Sequence, residues 1–317
     1  CQTLWIDEFS NPSWVIEELL RTEAFSSGNK EQEGFSFVAS LKACAKKKDL
    51  YKGVKLHRDI QEKGLLGKCP YLASNLINMY SKCGVLCEAQ KVIEELPIRD
   101  AVSWSALISG YAQHGLGYKA LFCFERMKRD GFSPNVITFT SLLKACGNIR
   151  CLNLGEKIHE EIESQGLLGK DTVLGTALVD MYAKCGLLTK AQEVFEDLPF
   201  RDVVAWSALI SGYAEEGQGC KALNCFDRMK HEGLSPDRVT FICLLKACGK
   251  TRSIGKGKQI HVSSGLLEKN DVILGSALVD MYAKCALLTK ALEVLEELPV
   301  RNVVSWSSLI SGYVQQG

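Results

Sequence analysis

Ser103-Trp-Ser-Ala-Leu-Ile-Ser-Gly-Tyr111 returns as Ala205-Trp-Ser-Ala-Leu-Ile-Ser-Gly-Tyr213 and again as Ser305-Trp-Ser-Ser-Leu-Ile-Ser-Gly-Tyr313. A second phrase, Phe37-Val-Ala-Ser-Leu-Lys-Ala-Cys44, returns with small changes as Phe139–Cys146 and Phe241–Cys248. Both recur about every 102 residues along a chain of 317. Self-similarity at a long period means supersecondary units stacked in a row, each completing the core of its neighbour. The expected functional feature is therefore a repeated surface, not one closed pocket.

Each period divides into three segments of unequal length. In the middle period they are 136–171, 172–202 and 203–237, of 36, 31 and 35 residues. The preceding segments are 34–69, 70–100 and 101–135; the following ones are 238–271, 272–302 and the incomplete 303–317. Leu178, Met181, Tyr182 and Cys185 are spaced i, i+3, i+4, i+7, as are Ala191, Val194, Phe195 and Leu198. Trp206, Leu209, Ile210 and Tyr213 repeat the spacing, followed by Ala222, Cys225, Phe226 and Met229. Such stripes predict two one-sided helices per segment. Gly186, Gly212 and Gly217 are expected to end first helices. Leu198-Pro199 and Ser235-Pro236 are expected to close second helices, because proline cannot continue one. No segment alternates with period two. The expected fold is all-α: a right-handed superhelical solenoid of helix-turn-helix units, its concave groove lined by the first helices. Residues 1–33 do not match the phrases and read as an N-terminal cap or degenerate unit, with a helix over Trp14–Thr22. Lys46-Lys47-Lys48 reads as a solvated loop or helix end.

Composition narrows the function classes. A net charge of +1 argues against duplex DNA, whose binding calls for a large basic patch. No stretch approaches the ~18 apolar residues of a membrane span. Cys44, Cys146 and Cys248 share one repeat position, and Cys83, Cys185 and Cys285 share another. Both positions fall on apolar helix faces, so the thiols read as small buried hydrophobes in a reducing compartment. The chain opens on Cys1 and stops at Gly317 within a segment. The expectation is a piece of a longer protein, with any targeting peptide outside it.

The alternation of lengths, the Trp-Ser-Ala-Leu-Ile-Ser-Gly-Tyr phrase, Val179-Asp-Met-Tyr-Ala-Lys-Cys185 and Met229-Lys-His-Glu-Gly-Leu-Ser-Pro-Asp237 resemble plant-type pentatricopeptide repeat (PPR) proteins of the PLS subfamily. In these, P, L and S motifs of 35, 36 and 31 residues alternate, matching the segment lengths here except for 238–271, which has lost two residues. Segments 34–69, 136–171 and 238–271 then correspond to L motifs, 70–100, 172–202 and 272–302 to S motifs, and 101–135, 203–237 and 303–317 to P motifs. The resemblance covers residues 34–317. Tetratricopeptide repeats, the nearest confusable class, keep one length and a different signature.

The resemblance implies single-stranded RNA binding at one base per motif, with the RNA running 5′ to 3′ from N to C. It also implies selection of sites for cytidine-to-uridine editing or other maturation of mitochondrial or plastid transcripts. The mitochondrion is slightly favoured. Implied partners are single-stranded RNA and RNA-editing cofactor proteins or a deaminase acting in trans, with no DNA, membrane or cofactor. The rival reading is a helical scaffold that binds a peptide or partner protein in its groove.

The family reads each base with a residue near the start of the first helix and the last residue of the motif. Carried over, the pairs are Ser74 and Asp100, Ser105 and Asn135, Thr140 and Asp171, Thr176 and Asp202, Ser207 and Asp237, and Ser276 and Asn302, with Ser307 opening the last motif. Val38 with Cys69 forms no such pair, and Ile242 with Asp271 forms half of one. A carboxylate only accepts hydrogen bonds, which suits the two donors on guanine's Watson–Crick edge; a carboxamide suits adenine. From segment 70–100 onward the implied run is G, A, G, G, G, an unread base, A and a purine. Asp and Asn at these positions also suit plain helix caps. Segments 172–202 and 272–302 agree at 22 of 31 positions, yet Thr176 becomes Ser276 and Asp202 becomes Asn302. Val102, Val204 and Val304 resemble the family's apolar clamp on the base faces, with Ile137, Val173, Val239 and Ile273 as equivalents. The alternative for these is packing between repeats.

Trp104, Trp206 and Trp306 each open an apolar stripe and read as core, not as base-stacking platforms. His57, His159 and His261 recur once per period, too sparse for a metal site, and read as helix-surface or interface residues. A zinc deaminase needs H-x-E with P-C-x-x-C. His159-Glu160-Glu161 supplies only the first part, inside a repeat helix, and the chain has no C-x-x-C, P-loop, G-x-S-x-G or H-E-x-x-H. No catalytic residue is expected in this chain; a catalytic domain beyond it is left open.

Overall fold

The computed structural model describes residues 33–66, 70–97, 99–168, 171–265 and 271–316. The cap expected over residues 1–33 lies outside them except for its last residue, as does Cys69. The described residues are helical throughout, joined by short turns, with no strand among them. After α1 (33–47) come α2 (Leu50–Glu62), α3 (Pro70–Lys82), α4 (Leu86–Glu95), α5 (Ala101–Gln113), α6 (Gly117–Arg129) and α7 (Val136–Asn148). Then follow α8 (Leu152–Ser164), α9 (Thr172–Lys184), α10 (Leu188–Glu196), α11 (Val203–Glu215) and α12 (Gly219–His231). The series ends with α13 (Arg238–Thr251), α14 (Ile254–Ser264), α15 (Val272–Lys284), α16 (Leu288–Glu297) and α17 (Val303–Gln316). None is long and apolar enough to cross a membrane.

Two compact units are distinguished, one reaching to Thr138 and one starting at Phe139. In the first, α3 packs on α5, and α4 fills the angle between them. In the second, α9, α11, α13, α15 and α17 pack each on the next, while α10, α12, α14 and α16 form a second layer behind them. First helices are therefore apolar on two sides. α11 buries Ala205, Trp206, Leu209, Ile210, Gly212, Tyr213 and Ala214. Second helices carry one stripe; α12 buries Gly219, Ala222, Leu223, Cys225, Phe226 and Met229, while Cys220, Lys221, Asn224, Lys230 and His231 are exposed.

Two of the three repeat tryptophans are core residues, and Trp306, expected to be one, is 44% exposed. Trp104 and Trp206 are fully buried, and Trp206 meets Phe195 edge to face at 4.5 Å between ring centroids. Arg126 and Arg228 lie over the two indoles at 5.4 and 5.3 Å. The histidines are interface residues. His57, His159 and His261 each place Nδ1 2.8 Å from the hydroxyl of Tyr80, Tyr182 and Tyr282 on the following first helix. Burial lowers the His57 and His159 pKa values and pushes the Tyr80 and Tyr182 hydroxyls up to about 12, so the pairs are neutral near pH 7.

Three expectations need correction. Gly212 does not end a helix: it lies inside α11 where that helix crosses α9. A Cβ there would meet Ala183 Cβ at 2.8 Å and the Ala183 backbone at 3.3 Å, so its role is close approach. Gly110 fills the same place in α5 against Ser81. Second, α12 stops at His231, well before Ser235-Pro236; the chain turns at Gly233, whose φ is +76°. Third, Cys83, Cys185 and Cys285 are the residues just past α3, α9 and α15 and not within them. The described cysteines are free thiols. Lys46 and Lys47 end α1, and Lys48 turns the chain at φ +54°.

Gly212→Ala should therefore destabilise the protein by roughly 1–3 kcal/mol, as overpacking does, because Ala183 cannot retreat without its backbone. A urea titration checks this. Gly217→Ala, at an exposed turn with open space around it but φ +77°, tests backbone strain alone and should cost about 1 kcal/mol.

Candidate nucleic-acid interface

The residue that ends each motif is the N-cap of the helix that follows. Asp100 accepts from Ser103 N at 2.6 Å and Asn135 from Thr138 N at 2.9 Å. Asp171 accepts from Val173 N, Asp202 from Ala205 N and Asp237 from Thr240 N, each at 2.8 Å. Asp271 accepts from Ile273 N at 3.0 Å, and Asn302 from Ser305 N at 2.8 Å. The capping alternative is thus realised at all seven positions.

Capping does not exhaust these side chains. An ionised carboxylate offers about four lone-pair sites, and each N–H takes one. In Asp100, Asp171, Asp202 and Asp237 the bonds go to Oδ1, and Oδ2 has no hydrogen bond or ion pair among the described residues. In Asn135 and Asn302 the backbone N–H needs an acceptor, which assigns Oδ1 to the cap and leaves Nδ2 to be presented. The cap therefore sharpens the contrast: Asp presents an acceptor and Asn a donor.

The residue five positions after the cap lies in the N-terminal half of the same helix. Ser74, Ser105, Thr176, Ser207 and Ser276 are buried to within 9% or less of exposure, whereas Thr140 and Ser307 are more open. The hydroxyls of Ser105, Ser207 and Ser276 bond back to Ala101, Val203 and Val272 carbonyls, at 2.6, 2.7 and 2.6 Å. Three pairs are brought together. Ser207 Oγ lies 3.4 Å from Asp237 Oδ1, and Ser276 Oγ 3.4 Å from Asn302 Oδ1. Ser105 reaches Asn135 through Thr138, at 2.7 and 3.0 Å. Thr240 bridges Ser207 and Asp237 in the same way. No such contact links Ser74 with Asp100 or Thr176 with Asp202 among the described residues. The bridging threonines were not foreseen; a Thr three residues after the motif-ending Asn or Asp, as in Asn135-Val-Ile-Thr138, is the signal for them.

The side chains two positions after each cap are apolar and open. Val102, Ile137, Val173, Val204, Val239, Ile273 and Val304 are 53–61% exposed, so packing between repeats does not account for them. Two further residues share this register and were overlooked: Phe35 at 65% and Tyr71 at 60% exposure. Counting back three residues from Val38 and Ser74 finds both. In the first unit, Val102, Ile137, Ser74, Ser105 and Asn135 border one cleft of about 360 Å³ between α3 and α5, with Asn78, Ser109 and Gln113. Among the described residues no group of His, Cys, Asp or Glu side chains could hold a metal ion.

Family models decide the kinship. The PPR repeat family matches residues 99–148 and 201–250, and the PPR repeat matches 137–167, 176–203, 276–303 and 304–317. The chain belongs to the PPR family. A chloroplastic pentatricopeptide repeat-containing protein of Arabidopsis thaliana is 36% identical over 89% of this chain and 46% of the relative. A mitochondrial one from the same plant is 34% identical over 100% of this chain and 46% of the relative. The chain thus spans about half the length of these relatives. Among solved structures, the PPR protein PPR10 in complex with an 18-nt psaJ RNA element matches with a TM-score of 0.69 at 22% identity, over 84% of this chain and 40% of that one. The shared feature is the fold, an α-helical PPR solenoid.

Capping and presentation are separable. Asp202→Ala should lower stability by about 1 kcal/mol through loss of the cap, whereas Asp202→Asn should stay within about 0.5 kcal/mol because Asn caps equally well. Paired urea titrations check this; equal losses would show that Oδ2 has a structural role as well.

Proposed function

We propose that the chain is a sequence-specific single-stranded RNA-binding array in which each motif takes one base. The observation that carries the reading is the repeated register of three features. An exposed aliphatic side chain stands two residues after each capping Asp or Asn, and a Ser or Thr stands five residues after six of the seven caps. Flat apolar contacts suit the faces of an unstacked base, and hydrogen-bonding groups beside them suit its edge. A solvated interface between repeats would not need an aliphatic residue more than half exposed at every helix start.

The assignment of bases follows from what each cap leaves free. Oδ2 of Asp100, Asp171, Asp202 and Asp237 accepts from guanine N1 and N2; Nδ2 of Asn135 and Asn302 donates to adenine N1. From Ser74 onward the preferred run is G-A-G-G-G, one unselected base, A and a purine, 5′ to 3′ from N to C. The alternation of 36-, 31- and 35-residue segments supports the PLS arrangement and, with it, a role in choosing cytidines for editing or in other maturation of organellar transcripts. The names of the relatives, chloroplastic and mitochondrial, support an organellar location without choosing between the two. Catalysis of an editing step would fall to a deaminase outside this chain, in cis or in trans.

A gel shift with single-stranded RNA carrying the purine run, against a scrambled oligonucleotide, tests the reading. Asn135→Asp should move the second base of the run from A towards G by roughly tenfold, about 1.4 kcal/mol, with the other positions unmoved. Equal affinity for run and scramble, or an unchanged second base, would contradict it; a peptide-binding scaffold would give the first of these.

A further inference from the structure

Asp271 differs from the other motif-ending side chains. Its Oδ1 caps α15 through Ile273 N and Leu274 N at 3.0 and 3.1 Å, and its Oδ2 is held by Arg238 Nε at 2.7 Å. Only 15% of the Asp271 side chain is exposed. Arg238 is the first residue of α13, 33 positions earlier, at the opposite end of the same motif. The residues that open α5, α7, α9, α11, α15 and α17 are Ala101, Val136, Thr172, Val203, Val272 and Val303, none of them charged. The second half of the pair is altered too: Ile242 stands where every other motif from residue 70 onward carries Ser or Thr, and it has no hydrogen-bonding side-chain group. Both apolar side chains of the register, Val239 and Ile273, remain more than half exposed.

We infer that motif 238–271 is a spacer: it holds a nucleotide between Val239 and Ile273 without selecting its base, because Arg238 latches the acceptor of Asp271 and Ile242 offers nothing in its place. This rests on the base-reading assignment proposed above. A partly exposed ion pair is worth little to stability, so the latch works by occupancy and not by strength. A guanidinium also carries only donors. The N1–H and N2–H groups of guanine, which the free carboxylates of Asp202 and Asp237 would accept, meet a donor here instead. The spacer keeps the register of one nucleotide per motif across a position where the RNA is free to vary.

The test is an equilibrium titration with four single-stranded RNAs differing only at the nucleotide facing this motif. The same four-way substitution is made at the nucleotides facing Ser207/Asp237 and Ser276/Asn302. Expected for the native chain is a spread under about twofold at the spacer and above about fivefold at both flanks. Ile242→Thr alone should leave the spacer flat, because Arg238 still holds Asp271. Arg238→Val with Ile242→Thr should raise guanine at least about fivefold over the other bases at that nucleotide alone. Selection at the spacer as strong as at the flanks, guanine preference from Ile242→Thr alone, or a flat spacer in the folded double variant overturns the inference. Flat response at all three nucleotides instead fails the base-reading assignment, and the spacer with it.

Discussion

The N-cap bond at each motif junction is the constraint on which the surface depends. An Asp or Asn side chain accepts the N–H two or three residues ahead and so fixes where the next helix begins. A helix advances about 1.5 Å and 100° per residue, so everything counted from the cap acquires a set position. Two residues on lies the exposed aliphatic side chain; five residues on lies the small hydroxyl. One bond sets the positions of three chemically different groups, and it is repeated along the chain. It also determines what the capping residue shows outward. With Oδ1 engaged, the difference between Asp and Asn becomes the difference between an acceptor and a donor.

Behind that surface the packing hardly varies. Gly155 and Gly257 admit Met181 and Met281, as Gly53 admits Met79, and three His–Tyr pairs join second helices to the next first helices at one distance. Sites on helices held by such repeated contacts are more precise than sites on loops. Segments 172–202 and 272–302 show the division: the core residues are shared except that Phe195 becomes Leu295, while Thr176 and Asp202 become Ser276 and Asn302.

Much of this is legible in the sequence alone. The stripe opened by Trp206 has a single physical meaning at helical spacing, and the indole is indeed buried. Gly212 was misplaced because a glycine near a helix end and one that lets two helices touch look alike in one dimension. Only the neighbour, Ala183, distinguishes them. Gly233 was passed over for Pro236 because a positive φ leaves no mark in sequence beyond the glycine itself. Phe35 and Tyr71 were missed because aromatic residues suggest core, and only their exposure shows otherwise. The Thr138 and Thr240 bridges and the Arg238–Asp271 latch join residues about thirty positions apart, or groups whose direction depends on a cap, and local patterns do not report such bonds.

One base per motif, held by its faces, is the central claim. Equilibrium titration with RNAs made abasic at one nucleotide at a time addresses it most directly. Removal of any base between two exposed clamp residues should weaken binding by about 1 kcal/mol, roughly fivefold, including the base opposite Ile242 that is held without being selected. Affinities that do not depend on where the abasic site lies, or on whether there is one, would contradict it.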